Sequence, residues 1–336
     1  MTIKDLAAMT GYAVGTVSRV LNNHPNVSEK ARKAILAAVE ESGFQLNTNA
    51  KQLKQTHATT ILVIVKGTGN FLFASMVEKI QHLLDHSPYH LHVDYLYGAE
   101  NEVMRAVQLS REKKALGVLF LGGNNDNFRS DFYKLDIPSV LVTNDASDLG
   151  FDKLSSIYVD NFEASRQAAE VLIERGHRRF AVIGGHRDYS DTSRQRWEGV
   201  LHALNAHSIS IDPELDYATV YFSTEGGYQA VEQLLERGRT FTAIITMSDM
   251  MAIGAIRALR DHGLSVPADV SVVGFDGLPL GQYLVPRLST IDQPGEEMAR
   301  RSVEILLDCI ENGAPAKHEA AAFTLLRRES VGSITE

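Results

Sequence analysis

Short apolar stripes at helical spacing run through the first 45 residues. Thr2 and Asp5 have the spacing of a capping box, which predicts a first helix that begins at Ile3 and ends at Gly11. Apolar residues then recur three and four positions apart, which predicts the buried face of a second helix formed by Val17, Val20 and Leu21. The pattern therefore indicates two helices joined by a tight turn.

A third helix follows, with Ser28 as its N-cap and Gly43 at its end. Its predicted buried face consists of Ala31, Ile35, Ala38 and Val39. The spacing of Ala7, Gly11 and Val17 fits a helix-turn-helix, because a small residue lies where the helices meet, a glycine lies in the turn, and a branched residue faces inward. A generic three-helix bundle is the alternative.

The predicted outward face of the second helix carries small residues and one long cation. Val14, Gly15 and Thr16 lie at its start, and Arg19 follows one turn later. Such a face can enter the major groove of DNA, where an arginine can donate two hydrogen bonds to guanine. In the alternative bundle these residues would only be solvated.

Residues 46–58 have the composition of a linker with at most two helical turns. Leu53 is an isolated apolar residue between Lys51 and Lys54. A helix this short is marginal in water, so it would form only when docked. A leucine flanked by lysines fits a wedge into the minor groove. The alternative is a flexible linker whose leucine packs on its own domain.

Apolar runs rich in branched residues alternate with helical patterns from residue 59 to about 330. The predicted strands are Thr60–Val65, Leu91–Leu96, Gly117–Leu121, Ser139–Val142, Ile157–Val159, Phe180–Ile183, Ala243–Thr246 and Ser271–Phe275. Continuous apolar strands between helices predict parallel sheets covered on both faces. The length favours two doubly wound lobes, with a ligand in the cleft beyond the carboxyl ends of the strands.

Charge is unevenly distributed over the 336 residues, whose net charge is −9. Residues 1–57 carry a net charge of +3 and the remainder −12, which favours contact of only the first segment with a polyanion. One cysteine excludes a disulfide framework. The chain has no apolar run long enough to span a membrane and no apolar signal core at its start, so we expect a cytoplasmic protein.

Other constellations are weak, and we predict no catalytic residue, metal site or cofactor. Gly67 and Gly69 lack the third glycine of a dinucleotide-binding loop, because position 72 is Leu72. His82 and His86 lie four residues apart on a predicted helix without an acidic partner, which favours surface histidines over metal ligands.

Motifs along almost the whole chain together resemble the LacI/GalR family of transcriptional regulators. In the first segment they are residues 2–7, Gly11, 16–22, 26–28, 37–44 and the pattern Asn47, Ala50, Leu53. In the remainder they are residues 176–179, 183–185, 194–199, 249–255, 266–267, 269–276 and 293–294. The resemblance covers residues 2 to about 330.

This resemblance implies an all-α helix-turn-helix domain followed by an α/β, two-lobed domain like the periplasmic binding proteins. The implied domains are residues 1–45 for DNA binding, 46–58 for the hinge helix and linker, and 59–330 for effector binding and dimerisation. Within the last, the N-lobe would comprise about 59–160 and 291–320, and the C-lobe about 161–290 and 321–330. A homodimer would bind an inverted-repeat operator, and a small effector, most simply a sugar, would control its affinity.

The resemblance also implies which residues contact DNA. Base edges would be read by Val14, Gly15 and Arg19. Phosphates would be contacted by Thr2, Thr16 and Asn22. The hinge helix would contribute Ala50, Leu53 and Lys54. One departure concerns Ala13, which stands where the family has a serine cap on the recognition helix and therefore lacks a side-chain acceptor.

In the cleft, the resemblance implies an effector bound by Arg196 and Asp276, with Phe73 and Phe222 flanking it and Ser248 as a further polar contact. Each has a structural alternative as a surface, capping or core residue. The resemblance thus favours a repressor, and two other functions remain as alternatives: a free sugar-binding protein and an enzyme acting on a small polar metabolite. Duplex DNA binding with steep salt dependence would separate the first from both.

Overall fold

A computed structural model describes residues 1–21, 27–44, 59–67, 69–97 and 100–334 of the chain. The chain divides into two compact units, Met1–Ala58 and Thr59–Glu336. No helix within the described ranges is both long and apolar enough to cross a membrane.

The first unit contains three helices among its described residues: α1 (Ile3–Thr10), α2 (Val14–Leu21) and α3 (Glu29–Ser42). The predicted capping box of Thr2 and Asp5 is confirmed, with the Thr2 side chain accepting from the Asp5 N–H and the Asp5 carboxylate accepting from the Thr2 N–H. Gly11 and Gly43 end α1 and α3 in the left-handed conformation. The shared core is formed by Leu6, Ala7, Val17, Val20, Ala31 and Ile35.

The second unit contains two sheets, and the first of them forms the N-lobe. Its strands are β1 (Thr60–Lys66), β2 (His90–Leu96), β3 (Ala115–Leu121), β4 (Ser139–Val142), β5 (Leu154–Tyr158) and β11 (His318–Ala320). They pair in parallel in the order β11-β5-β4-β3-β1-β2. The helices of this lobe are α4 (Phe71–Leu84), α5 (Glu102–Lys113), α6 (Asn125–Asp131) and α11 (Gly295–Asn312).

The C-lobe is built around the second sheet. Its strands are β6 (Phe180–Gly184), β7 (Tyr217–Thr219), β8 (Ala243–Thr246), β9 (Ser271–Asp276), β10 (Ser289–Asp292) and β12 (Thr324–Leu326). The order is β12-β10-β9-β8-β6-β7, and only the β10–β12 pair among these is antiparallel. Its helices are α7 (Asn161–Glu174), α8 (Asp191–Ala206), α9 (Thr224–Glu236) and α10 (Asp249–Asp261).

Three short segments connect the lobes. They lie between β5 and α7, between β10 and α11, and between β11 and β12. The second connection therefore begins after Asp292, whereas the expected boundary of the N-lobe was about residue 291. Both lobes point the carboxyl ends of parallel strands at the space between them, because the connecting segments leave from those ends.

Most predicted strands lie where the apolar runs indicated, with small shifts at their ends. The expected strand Ile157–Val159 is instead Leu154–Tyr158, since the polar residues Ser155 and Ser156 are buried within the sheet. Four strands, β7, β10, β11 and β12, have no counterpart among the predicted apolar runs. Each is only three or four residues long, and β10 and β11 contain mostly polar residues, so none presents an extended apolar run.

Candidate functional site

Helix α2 turns its expected base-reading residues to solvent. Val14, Gly15 and Arg19 are exposed and Thr16 is half-buried, whereas Val17 and Val20 on the opposite face are buried. Thr2 is also exposed, at the start of α1. The other residues expected to contact DNA, Asn22, Ala50, Leu53 and Lys54, lie outside the described residues. The exposed face of α2 thus combines two small side chains with a single guanidinium.

The start of α2 has a backbone cap only. The Ala13 carbonyl accepts hydrogen bonds from the N–H groups of Thr16 at 2.8 Å and Val17 at 3.1 Å. The alanine side chain offers no acceptor to the remaining free N–H groups of the first turn. This agrees with the departure noted in the sequence.

Arg196 lies in the interior of the lobed unit, with 3 % of its surface exposed. Its Nε donates to Asn161 Oδ1 at 2.8 Å, and its Nη1 donates to the carbonyl of Met247. The guanidinium carbon lies 3.4 Å from the ring centre of Phe275. Burial lowers the pKa of Arg196 to about 10, and the carboxylates of Asp276 and Asp249 oppose that shift.

Asp276 ends β9 and is 5 % exposed. Its Oδ1 accepts from Gln293 Nε2 at 2.8 Å, and its backbone has a φ of 119°, which is a strained conformation for a residue with a Cβ. Burial raises the pKa of Asp276 to about 6, although Arg196 acts in the opposite direction. The fold thus brings Arg196 and Asp276, which are 80 positions apart in the sequence, into one electrostatic environment.

A second buried carboxylate, Asp249, lies in the same environment. It accepts from Thr290 Oγ1 at 2.5 Å and from the Leu278 N–H at 2.7 Å. Burial and the nearby Asp276 raise the pKa of Asp249 well above its ordinary value. Two buried carboxylates and one guanidinium therefore interact electrostatically within the C-lobe.

The other expected effector-binding residues lie on α4 or in segments that follow strands of the C-lobe. Phe73 is buried on α4, with its ring 3.0 Å from the position that a Cβ on Gly122 would take. Phe222 follows β7, is half-buried, and approaches the corresponding position of Gly185 to 2.7 Å. Ser248 is buried and caps α10, because its hydroxyl accepts from the Met251 N–H at 3.2 Å.

Direct hydrogen bonds join the two lobes across the cleft. The Asn125 N–H at the start of α6 donates to Asp191 Oδ2 of the C-lobe at 2.7 Å. Thr192 Oγ1 donates to Asn144 Oδ1 of the N-lobe at 3.1 Å. The lobes are therefore in contact, and the polar groups between them are withdrawn from water.

Two family models match this chain. Residues 2–47 match the lacI family of bacterial regulatory proteins, and residues 169–331 match the periplasmic binding protein-like domain. The HTH-type transcriptional regulator MalR of Clostridium butyricum is 36 % identical over 337 residues, which cover 99 % of this chain and 100 % of that protein. The HTH-type transcriptional regulator GalR of Escherichia coli K12 is 32 % identical, over 99 % of this chain and 96 % of its own length.

The chain belongs to the LacI family. Among solved structures, the Lac repressor dimer bound to operator and the anti-inducer ONPF resembles this LacI-family chain with a TM-score of 0.77, 26 % identity and 99 % coverage of both chains. The complex of the transcriptional regulator CelR with cellobiose has a TM-score of 0.71, 28 % identity, and coverage of 98 % of this chain and 99 % of its own. The resemblance and the fold class inferred from sequence are therefore confirmed, and this LacI-family protein is a DNA-binding transcriptional regulator.

Sequence reasoning missed several polar residues of the LacI-family cleft. Asn125, Asn161, Asp191 and Gln293 each contact a partner that is distant in sequence. Gln293 is part of a family motif that indicates no role for it, and Asp191 belongs to a cluster of polar residues that follows Gly185. Each of these residues directly follows a strand, or caps or opens a helix, and that placement is the general signal that could have found them.

Proposed function

We propose that this LacI-family regulator is a repressor that binds an inverted-repeat operator as a homodimer, with its operator affinity controlled by a small polar effector between the lobes. Such a protein would act in the cytoplasm, where bacterial DNA lies. The observation that carries the proposal is the solvent-exposed face of α2, with Val14, Gly15 and Arg19 directed away from the core.

The small residues on α2 support close approach to DNA. Gly15 has no atom within 4 Å of the position that a Cβ would take, so nothing in the described unit fills the space in front of it. A methyl-bearing residue such as Val14 can pack on the C5-methyl group of thymine, and Arg19 can donate to guanine O6 and N7. Arg19 would then supply most of the direct readout in each half-site.

Buried polar groups between the lobes support a polar effector. The charged side chains of Arg196 and Asp276 are almost wholly buried. Burial of a charge costs free energy, and charged groups buried in a cleft are typical of functional sites. A sugar or sugar derivative would satisfy them, since its hydroxyl groups both donate and accept hydrogen bonds. The CelR structure, which has cellobiose bound, is similar to this chain over nearly its full length.

Exposed apolar side chains on the C-lobe support self-association. Leu280, Tyr283 and Val285 are 45 %, 81 % and 87 % exposed and lie within six residues of one another. Clustered apolar side chains on a surface mark interaction sites, and a second copy of this chain is the occupant we propose. The matched Lac repressor structure is a dimer on its operator.

Selection of bound duplexes from a random pool tests the DNA-binding proposal. We expect a palindromic consensus whose affinity falls steeply with salt, because phosphate contacts release counterions. Arg19→Ala should weaken binding to that consensus by about 1–3 kcal/mol and relax one base pair in each half-site. Lys33→Ala, which removes another exposed cation of the same unit, serves as the control and should leave the base preferences unchanged.

Failure to enrich any palindrome would contradict the proposal, as would turnover of a metabolite by a protein that ignores DNA. A selected consensus that Arg19→Ala binds with unchanged preference would contradict the role of Arg19 alone. Sedimentation of Tyr283→Asp tests the dimer separately. We expect this variant to be monomeric and to bind a single half-site weakly.

A further inference from the structure

A fully buried carboxylate, that of Glu102, joins three separate parts of the N-lobe. Glu102 is the first residue of α5 and is 0 % exposed. Its Oε2 accepts from Lys66 Nζ at 2.6 Å and from Asn127 Nδ2 at 2.9 Å, and its Oε1 accepts from the Asn124 N–H at 2.5 Å. Both oxygens therefore have hydrogen-bond donors, and the negative charge is paired with an ammonium group.

Stability alone does not account for this buried ion pair. Removing two charges from water costs free energy, and apolar side chains of similar volume are often as stabilising in such a place. Two of the three donors to Glu102, Asn124 and Asn127, belong to one short segment, residues 123–127, which includes the start of α6. A Cβ on Gly123 would lie 3.2 Å from Glu102 Oε1, so the segment packs closely against the carboxylate. What Glu102 holds in position is therefore this segment.

The same segment supports the hydrogen bonds between the lobes. The Asn125 N–H donates to Asp191 Oδ2 of the C-lobe at 2.7 Å. Asn144, which accepts from Thr192 of the C-lobe, donates from its Nδ2 to the Gly123 carbonyl at 3.0 Å. One bond between the lobes thus begins on the segment, and the other is made by a side chain attached to it.

The acceptor on the C-lobe side is itself held in place. Asp191 opens α8, is 9 % exposed, and accepts from Arg194 at its other oxygen, Oδ1. A hydrogen bond to a carboxylate is stronger than one between neutral groups, but it is lost beyond about 3.5 Å. Because Asp191 is fixed, a displacement of the Asn125 N–H by about 1 Å would break this bond. The position of the N-lobe segment therefore decides whether it forms.

We propose that Glu102, paired with Lys66, is a positioning residue for closure of the lobes, because it holds residues 123–127 where Asn125 can donate to Asp191. Glu102 acts through the segment, since the hydrogen bonds described for its carboxylate all lie within the N-lobe. The consequence for regulation rests on the proposed function: an effector that binds closed lobes would have an apparent affinity reduced in proportion to the fraction of closed molecules.

The distance between the lobes in the full-length protein tests this proposal. Nitroxide labels are attached to Asp148→Cys in the N-lobe and Asp188→Cys in the C-lobe, both at exposed positions, in a chain that also carries Cys309→Ser. Labelled chains are diluted with unlabelled ones, so that electron–electron resonance measures pairs within one chain. We expect mostly the short distance in otherwise unchanged protein. Glu102→Ala should lower the ratio of short to long distances about 3- to 10-fold, as for the loss of one hydrogen bond.

A double-mutant cycle separates positioning from a general loss of structure. Asp191→Ala removes the acceptor on the C-lobe and should lower the same ratio by a similar factor. Adding Glu102→Ala to Asp191→Ala should then have little further effect, because both substitutions act through the one bond from Asn125. Two unrelated structural defects would instead multiply their effects on the ratio.

Two further variants complete the test. Glu102→Gln keeps a carbonyl acceptor for the Asn124 N–H and should restore part of the ratio; it also replaces Glu102→Ala in the cycle if that variant does not fold. Asp94→Asn is the matched control, since Asp94 pairs at 2.8 Å with Arg105, which lies one turn further along α5. This control should lower the melting temperature and leave the distances unchanged.

The proposal would be overturned by lobes that are mostly apart in the unchanged protein, by Glu102 variants with an unchanged ratio, or by effects of Glu102→Ala and Asp191→Ala that multiply. Affinity for the selected palindrome is measured on the same proteins. If no palindrome is selected, the proposed function fails, while the distances still decide the role of Glu102. If the ratio changes and operator affinity does not, the positioning role stands and control of DNA binding by the lobes fails.

Discussion

The two units of this regulator use their functional side chains in opposite ways. In the helix-turn-helix unit, Arg19 and Val14 are exposed and the small core lies on the other side of the helices. In the lobed unit, Arg196 and Asp276 are buried within a core that continues through both sheets. In the first unit the functional side chains and the core therefore lie on opposite faces of the helices. In the second unit the functional side chains are part of the buried interior.

This difference has an energetic consequence. Burial lowers the pKa of Arg196 and raises that of Asp276, so each charge is held in the folded lobes at a cost. An exposed arginine such as Arg19 has no such cost and can be replaced without changing the fold. Substitutions should thus separate DNA binding from stability in the first unit, whereas effector binding and stability should change together in the second.

The largest effect is expected from a core substitution in the helix-turn-helix unit. Leu6 is fully buried against α2 and α3, and Leu6→Ala should cost about 2–5 kcal/mol. A core this small supplies only about 3–5 kcal/mol, so the unit should unfold. Calorimetry should show loss of one transition while the lobed unit melts as before, and operator binding should be abolished.

Leu36→Ala provides the control for this experiment, because Leu36 lies on α3 but is 48 % exposed. It should change stability by less than about 0.5 kcal/mol. If Leu6→Ala also lowered the melting temperature of the lobed unit, the two units would not fold independently and the comparison would break down.

Asp276→Asn should affect the effector strongly without affecting DNA recognition in its absence. The substitution keeps the shape of the side chain but removes the charge from the hydrogen bond that the carboxylate would accept from the effector. Such a charge-assisted hydrogen bond is worth about 1.5–3 kcal/mol. Because Asp276 has a pKa raised to about 6, effector affinity of the wild type should fall as the pH drops through that value and the carboxyl group takes up a proton. Titration calorimetry at pH 5 and pH 8 should show this dependence in wild type and a clearly weaker one in the variant, in which Asp249 is the remaining buried carboxyl group of the pair.

The helix-turn-helix could be predicted in detail because its signals are local. Each of these signals depends only on residues within four positions of it along the chain. They are the capping box of Thr2 and Asp5, the N-cap Ser28 and the terminating glycines Gly11 and Gly43. The strands of the lobes were also evident where they are apolar and buried on both faces. Short polar strands such as β10 were not, since their burial depends on neighbours from distant parts of the chain.

The contacts within the cleft could not be predicted for the same reason. Arg196 on α8 packs on the ring of Phe275 of β9. No sequence pattern near either residue predicts this contact. Ser193 resembles any serine in the first turn of a helix, and only the folded lobes show that its hydroxyl lacks a partner. The family resemblance supplied Arg196 and Asp276 but gave no account of the atoms that surround them.

A smaller effect concerns pH and the stability of the lobed unit. His177 is 2 % exposed, and its ring nitrogens lie 3.1 Å from Thr242 Oγ1 and 3.3 Å from the Gly332 carbonyl. Burial lowers its pKa below the ordinary value of about 6.5. The unfolded chain then binds the proton first, so this contribution to stability is complete above about pH 6.5 and is lost as the pH falls below it.

Thermal melts of His177→Gln at pH 5.5 and pH 8 measure this contribution. We expect the variant to lose less stability than wild type between the two values, because glutamine cannot take up the proton. His86→Gln, at an exposed position, should keep the wild-type pH dependence. Equal pH dependence in His177→Gln and wild type would exclude His177 as the responsible group.

The smallest effect is a gain of stability at the start of the recognition helix. Ala13 caps α2 through its carbonyl alone, and Ala13→Ser would add a side-chain acceptor for a free N–H of the first turn, worth about 1 kcal/mol. The melting temperature of the helix-turn-helix unit should rise by about 4–8 °C, a shift that the lobed unit should not share.

Ala34→Ser, at an exposed position in the interior of α3, should instead destabilise the same unit by up to about 0.5 kcal/mol, because serine is a weaker helix former than alanine. The two serine substitutions should therefore change the melting temperature of this unit in opposite directions. A change in the same direction would show that the start of α2 gains nothing from a side-chain cap at position 13.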